Sequence, residues 1–165
     1  MQTTTTTSSV APSTAARAPA GKYLNFVLAN EEYGVEVLKV QEIIRLLPIT
    51  PVPEVPRHIR GVINLRGKIL PVIDLRLRFG LPITEPTAET CIVVVHAAGA
   101  VRGVIVDRVT EVSKLEDVNM EPPPDLGPGQ VRGLLGIGKV EGRIKLLLDL
   151  DHVLRDEVAG LEARG

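Results

Sequence analysis

Several residue types are scarce in this chain, and each scarcity narrows the reading. Of 165 residues only one is cysteine, Cys91. That excludes an internal disulfide and a cysteine-built metal centre, and it suits a reducing compartment. Tryptophan is missing, and the aromatic residues are Tyr23, Phe26, Tyr33 and Phe79 alone, which leaves little for stacking bases or sugars. A basic excess is lacking too, since 19 Lys and Arg meet 20 Asp and Glu. A general nucleic-acid binder needs such an excess to displace counterions, so nucleic acid is not an expected partner. No apolar run approaches the ~18 residues of a spanning helix, so direct membrane insertion is not expected and a soluble cytoplasmic chain is.

What is present is apolar, short-range and β-like. Hydrophobic residues make up 44% of the chain, enough to bury the core of one ordinary domain or two very small ones. Residues 1–22 stand apart, being Thr-, Ser-, Ala- and Pro-rich without an acid. They read as a disordered tail, because such a segment cannot offset its ordering entropy by burial. From Tyr23 onward, Val- and Ile-rich runs are broken by Gly or Pro every eight to twelve residues, the punctuation of short strands. Ten strands are predicted: 23–28, 33–37, 40–46, 61–65, 69–73, 91–96, 102–106, 108–112, 134–137 and 144–148. Helix is expected only as one turn from Pro56 to Gly61, a short helix capped by Asp74 and running through Phe79, and a longer one capped by Asp149 and running through Val158.

An internal repeat organises these strands. A shift of 69 lays Gly34–Ile43 (GVEVLKVQEI) over Gly103–Val112 (GVIVDRVTEV), and RGVINLRGKILPVIDL from Arg60 answers RGLLGIGKVEGRIKLLLDL from Arg132. On this alignment the second copy carries three extra residues in its turn. Two copies of a five-strand unit predict an all-β protein of two five-stranded barrels side by side, with short helices. Closing each sheet removes edges that would otherwise pair between molecules. The expected subdomains are approximately 23–82 and 90–150 within a 23–160 domain, with exchange of strands between them left open.

Motifs for catalysis are weak. Gly133–Val140 reads GLLGIGKV, a phosphate-loop pattern except for its last position, where Val140 lacks the hydroxyl that holds magnesium. The repeat places it on a strand and hairpin, whereas such a loop should open a helix. After the tail the only serine is Ser113, outside any nucleophile elbow, and His58, His96 and His152 lie far apart without metal-ligand spacing. Cys91 begins an apolar strand, where a buried thiol is usually inert. Neither an enzyme nor a cofactor or metal site is expected. Charge, by contrast, is segregated. Residues 57–78 hold six basic residues against Asp74, residues 31–42 hold four acids against Lys39, and residues 149–162 hold five acids against Arg155. Solvated faces account for this, and so do complementary docking patches. In the turn Asn64-Leu65-Arg66-Gly67, an Arg near the tip presents a planar fork to a carboxylate. Pro122–Pro124 reads as a stiff connector.

Three segments, EEYGVEVLKVQEI (31–43), RGVINLRGKILPVIDLRLRFGL (60–81) and RGVIVDRVTEV (102–112), taken in this order and spacing, resemble the CheW family of bacterial chemotaxis coupling proteins. The resemblance runs from about Tyr23 to Arg155 and implies two SH3-like barrels. It implies a non-enzymatic adaptor that binds the cytoplasmic tip of a methyl-accepting chemoreceptor and the regulatory domain of the histidine kinase CheA. It further implies a place at the base of membrane receptor arrays, in rings that include other CheW copies. Carried onto matching positions, the family's contact residues fall on Val40, Glu42, Ile43, Gly61, Asn64, Arg66, Gly67, Cys91, Gly103 and Val112. Position 91 is commonly Val in relatives, so Cys91 is a small departure. A CheW-like adaptor of a non-chemotaxis receptor–kinase pathway, such as surface motility or development, is the alternative. A nucleic-acid-binding barrel is a remote one.

Overall fold

The structure is a computed structural model that describes residues 19–124 and 133–155. Its strands are β1 (Gly21–Leu28), β2 (Glu31–Glu36), β3 (Val40–Arg45), β4 (Ile59–Leu65), β5 (Lys68–Asp74), β6 (Cys91–Ala97), β7 (Ala100–Val106), β8 (Arg108–Leu115), β9 (Met120–Glu121), β10 (Leu134–Val140) and β11 (Arg143–Leu148). A one-turn helix, α1 (Leu75–Arg78), follows β5, and residues 150–155 are helical. The remainder of the helix expected through Val158 lies outside the described residues. All ten expected strands are present, and β9 is an addition to them. The tail expected over 1–22 lies outside the described residues except for its last four, of which Gly21 and Lys22 already pair in β1. The turn expected from Pro56 to Gly61 shrinks to a single Ile59 N–H to Pro56 carbonyl bond of 3.0 Å, because Ile59 is already pairing in β4.

Each hairpin is turned by two residues with positive φ: Ala29-Asn30, Arg66-Gly67, Ala98-Gly99 and Glu141-Gly142. This is the type I′ geometry whose twist matches that of the flanking strands. The turns of β4–β5 and β10–β11 are therefore equal in length, which corrects the expectation of three extra residues in the second. Strand pairing shows where the difference lies. Gly61 faces Val72 and Gly136 faces Leu147, each just after a β-bulge, so a shift of 75 relates the two hairpins throughout. The chain has gained its residues before β10.

The strands form two sheets, ordered β8-β1-β2-β11-β10-β9 and β3-β6-β7-β5-β4. Under the repeat these orders are the same, except that β9 extends the first. Each sheet nevertheless mixes the repeats. The first takes β1 and β2 from the N-terminal copy and the rest from the C-terminal copy, and the second takes β6 and β7 from the C-terminal copy and the rest from the N-terminal one. The parallel pairings match as well, with Gly34 beside Leu147 in one sheet and Gly103 beside Val72 in the other. Both sheets also return on themselves in one manner. Beyond β3, Thr50 bridges to Val62 of β4, and beyond β8, β9 pairs with Gly138 and Ile137 of β10.

Three apolar cores result. Ile63, Leu70, Val72, Ile92, Val94 and Ile105 fill the second barrel, and Tyr23, Leu115, Met120 and Leu147 line the first. The largest core lies between the sheets and joins Leu24, Phe26, Leu28 and Val35 to Val93, Val95, Val104, Val106 and the C-terminal Leu150, Val153 and Leu154. Strand β6 explains the unbroken run CIVVV: Ile92 and Val94 point into its barrel while Val93 and Val95 point into the central core. Two ion pairs tie the barrels at repeat-related places. Arg76 of α1 grips Asp107 with two bonds of 2.8 and 2.7 Å, and Asp107 accepts the Ala29 amide at 2.9 Å. On the other side Lys39 donates to Asp151 at 2.7 Å, and Asp151 accepts the Ala98 amide at 2.8 Å. The two turns are capped alike, with the signs of the helix-borne and crossing-borne charges reversed.

Candidate functional site

The candidate residues cluster mainly on the second barrel, and a bulge decides how they face. Strand β3 pairs Val40 with Val95 but Glu42 with Val94, so Gln41 is the extra residue. The bulge turns Val40 to the side of the central core and Glu42 to the side of the barrel interior. Ile43, opposite Val93, is on the Val40 side but near the strand's open edge, where it stays 45% exposed. Half-buried Cys91 faces Arg45 in the same ladder and packs against the central core. Burial pushes its thiol above the ordinary cysteine range, outweighing a backbone hydrogen bond to Val109. That agrees with an inert packing role.

Across the barrel, the β4–β5 hairpin brings its tip to β3. Although β3 and β4 stand at opposite ends of the strand order, Arg66 forms an ion pair with Glu42, which shows how far the sheet curls. The Arg66 side chain is 68% exposed although it pairs with Glu42, and a guanidinium fork can engage more than one carboxylate. Asn64 shapes this tip: its Oδ1 accepts the Gly67 N–H at 2.9 Å. Gly67 has φ of +88°, and a Cβ there would meet nothing within 4 Å, so this glycine serves the turn alone. Ile43, Glu42, Asn64, Arg66 and Gly67 thus form one exposed to half-exposed surface with Val40 at its inner margin.

Gly61, Gly103 and Val112 stand elsewhere. Gly61 is buried where the barrel closes: a Cβ there would lie 2.0 Å from the Thr50 carbonyl oxygen. Gly103 is buried inside the same barrel, where a Cβ would come within 2.8 Å of Ile92. Both permit the close approach of neighbouring strands and present no side chain to a partner. Val112 lies on β8 of the first barrel, is 54% exposed, and is the repeat equivalent of Ile43. Four exposed large apolar residues escape the sequence reading: Leu38 in the 3-10 turn Val37–Lys39, 95% exposed, Ile69, which faces Asn64 across the hairpin, its repeat equivalent Ile144, and Ile83. Strand alternation signals Ile69, because Leu70 and Val72 claim the inward positions.

The space between the barrels is filled by the central core. The gap at its centre, lined by Phe26, Val35, Val93, Val95 and Leu150 among others, is about 10 Å³, too small for a side chain. A second cleft, about 70 Å³, is bordered by Arg60, Asp74, Arg76 and Asp107. Its two aspartates are committed: Asp74 accepts from Arg60 at 3.0 Å and from the Arg76 amide at 2.9 Å, and Asp107 is held by Arg76. The Arg76 hydrogen bond holds Asp107 below the usual carboxylate range. Gly133–Val140, the phosphate-loop look-alike, is mostly strand β10, paired with β11 and followed by no helix. Among the described residues no group of three or more His, Cys, Asp or Glu could hold a metal ion, and no helix is long and apolar enough to cross a membrane.

Comparison with known proteins agrees with this geometry. Residues 22–158 match the CheW-like domain family. The chain is 35% identical over 133 residues to the chemotaxis protein CheW of Rhizobium meliloti, covering 80% of this chain and 86% of that one. It is 29% identical over 124 residues to Protein FrzA of Myxococcus xanthus, covering 75% and 78%. Among solved structures it resembles the scaffolding protein TtCheW from Thermoanaerobacter tengcongensis, with a TM-score of 0.76 and 36% identity over 82% of this chain and 93% of that one.

Proposed function

Because this chain belongs to the CheW-like domain family, a family of non-enzymatic chemotaxis coupling scaffolds, we propose that it links the cytoplasmic tip of a methyl-accepting chemoreceptor to the regulatory domain of the histidine kinase CheA. The observation that supports this reading best is the meeting of the KVQEI strand and the NLRG hairpin through Glu42 and Arg66, beside exposed Ile43. A receptor tip is a helical hairpin. Its apolar face would rest on Ile43 and Val40, while its carboxylates share the Arg66 fork. Gly61 and Gly103 contribute by holding the barrel in shape and Cys91 by packing on the strand beside β3, whereas Val112 offers an exposed apolar position on the other barrel. The chain works at the base of membrane receptor arrays, in rings with the kinase and further CheW copies, where multiple attachment raises effective concentration.

Arg66→Ala tests the reading. Receptor capture should fall about tenfold, as for loss of one charged hydrogen-bonded contact, while the thermal midpoint and kinase binding stay unchanged. Loss of receptor capture accompanied by a collapsed thermal transition would remove Arg66 from the contact surface. A second reading, an adaptor of another receptor–kinase pathway, draws on the similarity to a relative of different name, Protein FrzA. Co-purification from the native host, identifying the receptor and kinase that come down together, separates the two.

A further inference from the structure

The two barrels match strand for strand, yet at one interior layer their chemistry is opposite. In the second barrel the layer is Ile44 on β3, Leu70 on β5 and Val94 on β6, all packed in one apolar cluster. The repeat places Ser113, Lys145 and Asn25 at the same three positions of the first barrel, on β8, β11 and β1. Lys145 and Asn25 are both fully buried. They are joined through Ser113, whose hydroxyl lies 2.5 Å from Asn25 Nδ2 and 3.2 Å from Lys145 Nζ. Lys145 also donates to Glu111 at 3.0 Å and lies 3.9 Å from Glu32, while Arg143 sits 3.4 Å from Glu32 and 3.6 Å from Glu111.

The source of these residues matters. Asn25 and Glu32 come from the N-terminal repeat, whereas Ser113, Glu111, Arg143 and Lys145 come from the C-terminal one. Each repeat holds a complete set of five barrel strands in the same order, so a barrel built from one repeat alone is the natural competitor of the exchanged arrangement. In that competitor Asn25 would sit between Ile44 and Leu70, and Ser113 and Lys145 would share a layer with Val94. Every polar contact that crosses between the repeats here would be lost. Asn25 would suffer most, because its Oδ1 has no partner among the described residues and its bond to Ser113 satisfies only the amide nitrogen.

We propose that the Asn25–Ser113–Lys145 layer is a sorting device that selects the strand-exchanged fold over the unexchanged one. Polar meets polar and apolar meets apolar only when β1 lies beside β8 and β3 beside β6. Buried polar groups contribute little net stability compared with apolar replacements, but they discriminate strongly against arrangements that leave them unpaired.

Cys91 supplies a reporter. It faces Arg45 across the β3–β6 ladder, a pairing that exists only in the exchanged fold, and directly opposed strand residues have a Cα spacing a disulfide can span. The full chain carrying Arg45→Cys is unfolded in urea with reductant, then refolded in dilute solution under mild oxidant. Cross-linked monomer is counted by non-reducing electrophoresis. With the polar layer intact, nearly all refolded monomer should cross-link. With Asn25→Val, Ser113→Ile and Lys145→Leu together, which install the other barrel's residues, the monomer that fails to cross-link should rise about tenfold, the bias of one unsatisfied buried group. A triple variant that cross-links as completely as the parent overturns the proposal, as does a parent that cross-links poorly. If the triple variant does not fold, the milder pair Asn25→Val and Ser113→Ile, which keeps Lys145 with Glu111, is read by the same criterion. The converse pair, Ile44→Ser and Ser113→Ile, moves the hydroxyl to β3 and should lower cross-linking as well; unchanged yield there also counts against the device.

Discussion

Gly61→Ala isolates the step that closes the second barrel. A Cβ at residue 61 would lie 2.0 Å from the Thr50 carbonyl oxygen. Real contacts do not fall below 3.0 Å, so the two strands must part by about 1 Å. That oxygen accepts the Val62 N–H at 2.9 Å, and Thr50 N–H donates to the Val62 carbonyl at 2.9 Å. Lengthened by an ångström, neither remains a hydrogen bond. Two backbone bonds contribute about 1 kcal/mol each. The φ of +142° at Gly61 adds about 1–3 kcal/mol for any residue with a side chain. Together the substitution should cost about 3–5 kcal/mol, a large share of the roughly 5–15 kcal/mol that holds a domain together. Gly67→Ala is the control. Gly67 also has positive φ, but nothing lies within 4 Å of the added methyl, so the cost should be about 1–2 kcal/mol. In urea titrations Gly61→Ala should show much the lower midpoint, and in a thermal scan a fall of about 10–20 °C. Equal midpoints for the two variants would refute the closure argument and return Gly61 to the contact surface.

Further expectations follow from the same geometry. Ile43→Lys should abolish receptor capture with a thermal change below about 0.5 kcal/mol, since it alters an exposed edge position; a large loss of stability would show that Ile43 belongs to the core. Asp107 has its carboxyl depressed by Arg76, so the pin's stability is present above the unfolded aspartate range near pH 4 and fades as pH falls through the lower folded value. Asp107→Asn should therefore lower the urea midpoint at pH 7 and shrink the loss on acidification below about pH 4, whereas an unchanged acid limb would contradict the pin. Cys91, its thiol raised by burial, should be alkylated far more slowly in the folded chain than in urea at neutral pH; equal rates would mean the strand edge opens freely.

Much of this architecture is legible in the sequence because it is local. Alternating Val and Ile with Gly or Asn at turns fixes strands and type I′ hairpins within a few residues, and duplication repeats the pattern. Exchange between repeats is not legible from the strand pattern, because both repeats carry the same strand set and the residues that would sort them, Asn25, Ser113 and Lys145, lie far apart in sequence and meet only in the folded chain. Register places the inserted residues before β10, whereas matching the Arg-Gly pairs 60–61 and 132–133 puts them in the turn. Strand β9 is too short to stand out, with two residues beside a triple proline. Lys145 in RIKLLL reads as a surface lysine, yet the alternation set by Leu147 turns it inward. Glu42 and Arg66 each stand out within their own motif. Their contact, 24 residues apart in sequence, arises from curvature of the sheet rather than from any spacing in the chain.

The central claim is that one chain grips two partners at once. Sedimentation of receptor-bearing membranes with purified histidine kinase, with and without this protein, tests it most directly. Kinase should enter the pellet only when the protein is added, and Arg66→Ala should leave both in the supernatant while their binding to each other in solution persists. Kinase pelleting that ignores the protein, or that survives Arg66→Ala undiminished, contradicts the account.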